Sequence, residues 1–174
     1  MLVLFPSPID RSPPVRLRQA IGKLLIRELL LPEWTDGFYD VQELGRGWFR
    51  YATNRAHVKI RVPPGHRSVP IEIVAGNFQT DANLRARCLV DNKVISEHLF
   101  IPSPGSFESW IIDLERGHIQ DGIAHLTIES PTFNPSDTVN EADNREVGLA
   151  VADVRVRHPR HYLYELLFRR VFRD

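Results

Sequence analysis

Between Arg55 and Val62 charged and apolar residues alternate without a miss: Arg55, His57, Lys59 and Arg61 interleave with Ala56, Val58, Ile60 and Val62. A two-residue period sends one set of side chains to each face of an extended strand, which a helix cannot do. The same period returns at residues 69–75 and 84–90, and Ala124, Leu126 and Ile128 alternate with His125, Thr127 and Glu129. One break is informative. Val147, Leu149 and Val151 share one parity and Val154 and Val156 the other. A change of parity at Ala152-Asp153 is what a β-bulge produces, because one extra residue flips the faces. Asp91-Asn92 has the composition of a two-residue hairpin turn leading into a partner strand over 93–101. Further strand signals open at Gly37-Phe38-Tyr39, run from Arg46 to Tyr51, and cover 107–114. Roughly eight or nine short strands with no helix between them predict an all-β fold, an antiparallel β-sandwich or jelly roll.

At both ends the period changes. From Val15 to Leu31, the residues Leu17, Ala20, Ile21, Leu24, Leu25 and Leu29 fall on one side of a helix, which Pro13-Pro14 enters and Pro32 stops. From Tyr162 to Phe172, Leu163, Leu166, Leu167 and Val171 form a second apolar stripe. Arg169, Arg170 and Arg173 follow at the end, where cations favour the helix dipole. The expected organisation is an N-terminal arm and amphipathic helix over 1–35, a sandwich over 36–158 and an amphipathic helix over 159–174. Two such stripes imply an interface, as in a homo-oligomer formed through the helices of 15–31 and 162–172. Their basic residues also suit peripheral contact with an anionic membrane surface.

A length of 174 residues suits one domain with a full core. The formal charge is zero, but residues 1–31 carry five basic and two acidic side chains, as do residues 157–174, so the body between is acidic. A nucleic-acid binder needs a continuous basic patch on its body, so no nucleic-acid partner is expected. The lone cysteine, Cys88, cannot form an internal disulfide, and the first ten residues lack a basic leader and are interrupted by Pro6 and Pro8. No window approaches the ~20 apolar residues of a spanning helix. The expected location is cytoplasmic, reaching at most the inner face of the membrane.

Motifs for chemistry are sparse. His158-x-x-His161 is the one close histidine pair, without the further ligands that zinc needs, so no metal is expected. Nucleophile-elbow, dinucleotide and phosphate-loop patterns are absent, so neither a cofactor nor a catalytic residue is expected. A carboxylate pair for glycoside chemistry would come from Glu43, Asp113 and Asp143. Among the aromatics, Phe38, Trp48 and Trp110 suit a core, while Tyr39 and Tyr51 suit an exposed platform for sugar rings. Trp110 also stands with Tyr39, Tyr51 and Arg145 as a candidate ligand residue. Arg145 has two readings: a structural ion pair with a buried carboxylate, Glu43 or Asp143, or a planar fork for an anionic sugar.

Several blocks occur in order: Gly37-Phe38-Tyr39 with Glu43, Trp48-Phe49-Arg50-Tyr51-Ala52 with Ala56, Leu89-Val90-Asp91-Asn92-Lys93, Phe133-Asn134-Pro135, and Asp143-Asn144-Arg145-Glu146-Val147-Gly148-Leu149-Ala150-Val151. In these blocks residues 36–157 resemble β-sandwich accessory domains of bacterial glycosyltransferases and other cell-surface polysaccharide biosynthesis proteins. The resemblance implies a carbohydrate-binding-module-like sandwich that accompanies glycan assembly and is not itself catalytic. It departs from those proteins in carrying no transferase domain within its 174 residues, and in reading Trp48-Phe49 where they often have Trp-Thr. The expected function is a module binding carbohydrate or a partner glycosyltransferase. The alternatives are an assembly module using its terminal helices, without sugar binding, and a glycoside-acting enzyme.

Overall fold

The alternating segments become strands, joined by pairings that are antiparallel throughout. A computed structural model describes residues 31–45, 47–62, 67–135 and 144–157. In chain order the strands are β1 (Glu33–Phe38), β2 (Gln42–Leu44), β3 (Gly47–Arg61), β4 (Ser68–Gly76), β5 (Leu84–Val90), β6 (Lys93–Phe100), β7 (Glu108–Glu115), β8 (Ile123–Glu129) and β9 (Ala150–Val156). A single turn of 3-10 helix, Arg116–His118, follows β7. The helix expected over 15–31 lies outside the described residues except for Leu31, and that expected over 162–172 lies wholly outside them.

The segments around Arg46 to Tyr51 and Arg55 to Val62 are two strands by their sequence pattern; the structure joins most of both into β3, of 15 residues. Thr53 and Asn54 interrupt the apolar pattern but not the extended backbone. The continuity has a purpose. The first half of β3 pairs with β9 through Arg50 and Tyr51, and the second half pairs with β8 from Arg55 to Arg61. One strand therefore belongs to two sheets, β6-β5-β8-β3 with β1 beyond it, and β3-β9-β4-β7.

The inner faces of the two sheets meet in one core. Val58, Ile60, Leu84, Phe100, Leu126 and Ile128 from one sheet pack with Ile71, Ile73, Trp110, Ile112, Val154 and Val156 from the other. Cys88 is part of this core, and its burial pushes the thiol pKa up to about 12. Far from β3, the open side is closed by side chains. Trp110 Nε1 on β7 donates to Ser96 Oγ on β6 at 3.0 Å, and His98 stacks on the Trp110 ring. Phe49, Tyr51, Phe78, Val147 and Ala150 form a second, smaller core, which Phe107, Phe133 and Tyr39 help to cover.

Two local features match the sequence reading. Val74 pairs with Asp153 but Ala75 with Val151, so Ala152 is the extra residue of a bulge. That shift returns Val154 and Val156 to the core. Asp91 and Asn92 both have positive φ, 50° and 63°, as a two-residue hairpin turn requires.

Candidate functional site

The structure divides the four candidate ligand residues into two pairs. Trp110 is 3% exposed, and its indole N–H is already used by Ser96. Tyr51 is 8% exposed, with its ring edge-on to Phe49 at 5.1 Å. Trp110 thus lies in the core that its strand pattern suggests and is not an exposed ligand residue, while Tyr51 is corrected from platform to core; strand parity turns them towards the main and second cores respectively. Tyr39 and Arg145 come together. The Arg145 guanidinium lies 4.9 Å from the centre of the half-buried Tyr39 ring, and the Tyr39 hydroxyl donates to the Glu146 carbonyl at 3.0 Å. This cation–π contact and hydrogen bond tie Arg145 and Glu146 to the segment that leads into the β2–β3 hairpin.

The buried carboxylate expected for Arg145 is not Glu43, which is exposed on β2 opposite Trp48. Asp143 lies outside the described residues, as does the pair His158 and His161. Asp113 is exposed on β7 opposite Pro70. Asp113 and Glu43 stand on β7 and β2, two strands that do not pair with each other. Trp48, expected in the core, is 60% exposed on the β2–β3 hairpin. Phe38 is half-buried, edge-on to Trp34 at 4.8 Å and packed against the main core.

Sequence reasoning missed a groove on the outer face of the first sheet, with a volume of about 470 Å³. Its floor follows from the register. Arg87 on β5 faces Glu129 on β8, and Glu129 faces Arg55 on β3, so the three form one cross-strand row. Arg55 Nε lies 3.5 Å from Glu129 Oε1, while its Nη2 donates to Asn92 Oδ1. Arg87 Nε is held by Glu97 Oε1 at 2.9 Å. Asn54, Arg85, Ser130 and Pro131 complete the wall. Ser130 Oγ accepts the Leu149 N–H at 3.2 Å, and Gly148 leaves the room for it, since a Cβ there would stand 2.4 Å from that oxygen. Among the described residues, the side chains of Asn54 and Arg85 have no hydrogen-bond or ion-pair partner. The signal available in the sequence was the outward parity of Arg55, Arg85 and Arg87. Their convergence depends on β8 lying between β5 and β3, which local pattern cannot show.

Among the described residues no three of His, Cys, Asp or Glu gather as metal ligands, and no helix is long and apolar enough to cross a membrane. No family model matches the chain, and no curated protein does. Solved structures with similar strand arrangements include a family 35 carbohydrate-binding module from Clostridium thermocellum, at 13% identity over 72% of this chain and 96% of that one, with a TM-score of 0.47. CBM51-2, in complex with GlcNAc, and INT domains from Clostridium perfringens ZmpB match at 9% identity, 76% and 30% coverage, and a TM-score of 0.41. A Stig cyclase from Fischerella sp. TAU matches at 11% identity, 72% coverage of each chain and a TM-score of 0.36. Matches of this strength assign no role to any residue of this chain.

Proposed function

We propose that this chain is a non-catalytic carbohydrate-binding module of bacterial cell-surface glycan biosynthesis, and that sugar lies in the groove between Asn54 and Arg85. The observation that carries this reading is the groove itself. It is open, it mixes donors with acceptors, and among the described residues the side chains of Asn54 and Arg85 have no hydrogen-bond or ion-pair partner. A hydroxyl-rich ligand offers complementary groups to an amide and a guanidinium already held at the surface by rigid strands. A single neutral hydrogen bond is worth about 1 kcal/mol net, so a few such contacts give weak, reversible binding.

Titration of the protein with a panel of glycans, followed by chemical-shift perturbation, tests the proposal. The expected result is saturable binding with shifts centred on Asn54, Arg85 and Ser130, weakened roughly five- to tenfold by Asn54→Ala. Absence of binding by the wild type at millimolar glycan overturns it. A second reading, docking on a partner glycosyltransferase, is favoured by the exposed hairpin tip. There Trp48 is 60% and Leu44 39% exposed, leaving apolar surface of the kind found at protein interfaces. Trp48→Ala leaves glycan binding intact if the groove is the sugar site.

A further inference from the structure

The lining of the groove is not neutral. Three guanidinium groups, of Arg55, Arg85 and Arg87, stand against two carboxylates, Glu129 in the lining and Glu97 beside it, an excess of one positive charge among the described residues. Glu129 and Glu97 hold Arg55 and Arg87, which leaves Arg85 as the cation without a counter-ion among the described residues. None of the described lining residues is aromatic, so among them a neutral sugar ring finds no flat apolar surface to stack on. Affinity must come from polar contacts, and the strongest on offer is a charge-assisted pair with a planar guanidinium. The basic character also continues past the groove. Arg55, His57, Lys59 and Arg61 occupy successive outward positions of β3; of these Arg55 is paired with Glu129 at 3.5 Å and Lys59 with Glu33 at 3.1 Å.

Resting on the carbohydrate reading above, we infer that the ligand is an acidic glycan, whose carboxylate or sulfate pairs with Arg85 while Asn54 hydrogen-bonds neighbouring hydroxyls. Repeated charge along such a chain would follow the outward cations of β3. A nucleic acid fits less well, since it would also use aromatic side chains for base stacking, and the described residues of the groove include none.

The test compares tetragalacturonate with its fully methyl-esterified form, which differs in charge and keeps the ring hydroxyls. A kappa-carrageenan oligosaccharide, which carries sulfate and no carboxylate, separates the two sources of charge, and a single-stranded oligonucleotide serves as the competing class. The expected result is at least tenfold tighter binding of one acidic glycan than of neutral ones. Arg85→Ala lowers that affinity about tenfold, as loss of a charge-assisted pair does, and Arg85→Lys restores part of it. Raising the salt concentration weakens binding by the acidic glycan and leaves that by the ester unchanged. Equal affinity for acid and ester, or indifference to Arg85→Ala, overturns the inference. So does tighter binding of the oligonucleotide at the same residues. If neutral glycans bind with dependence on Asn54 but without preference for acid, the charge inference falls alone. If no glycan binds, both readings fall.

Discussion

Gly37 shows how one residue sets the close approach of two strands. Its φ of 74° is left-handed, and a Cβ added there would stand 2.0 Å from the Arg55 carbonyl oxygen and 2.7 Å from the Ala56 Cα, both backbone atoms of β3. Gly45 has nearly the same φ, 62°, but open space around it. The pair separates conformational cost from collision. Gly45→Ala is expected to cost about 1 kcal/mol, the left-handed penalty alone. Gly37→Ala is expected to cost about 3 kcal/mol or more, because β1 must move away from β3. Urea denaturation of the two variants measures the difference, and equal losses would mean that β1 yields freely. Arg145 illustrates the other lesson at this scale. A guanidinium is legible in the sequence as a residue that needs a partner, but not which partner, and here the face of Tyr39 is one of its contacts.

At the scale of elements, Glu72 on β4 joins its two neighbours. Its carboxylate accepts from Ser109 Oγ on β7 at 2.7 Å and from Arg155 Nε on β9 at 2.9 Å. Those interactions, the Ser109 hydrogen bond foremost and then Arg155, hold its pKa below the ordinary value near 4.5. Because the folded pKa is the lower one, the unfolded chain takes up the proton first as pH falls. The contribution to stability is complete above about pH 4.5 and is lost as pH drops through the folded value. Glu72→Gln should therefore lower the melting temperature at pH 7 and flatten its decline between about pH 5 and pH 3. An acid limb identical to that of the wild type would show that other carboxylates set it. Strands were the most legible elements. The span of β5 and the turn after it follow from alternation and from Asp91-Asn92, and the parity change marks the Ala152 bulge before any pairing is known. Trp48 was misread because a large aromatic on a strand suits a core on average, while a two-strand hairpin offers it nothing to be buried under. The groove was illegible for a different reason. Its cations come from two strands, and the order in which strands pair is decided by packing, not by any local pattern.

For the whole molecule, the continuous core and the shared strand predict a single unfolding transition. Neither sheet can separate without breaking β3, and residues from both fill the same interior. Far-ultraviolet dichroism, which follows the strands, and the fluorescence of buried Trp110, read in a Trp34→Phe, Trp48→Phe background, should give coincident denaturation midpoints. Separated midpoints would mean that the sheets come apart in steps. The sandwich is nevertheless asymmetric from side to side. Along β3 the layers are joined by covalent backbone, whereas at β6 and β7 they are held by the contacts around Ser96, His98 and Trp110. The molecule is thus bound like a book, with β3 as its spine, and thermal breathing should part the pages at the fore-edge, leaving the recess beside Asn54 on the spine side in register while the far margin flexes.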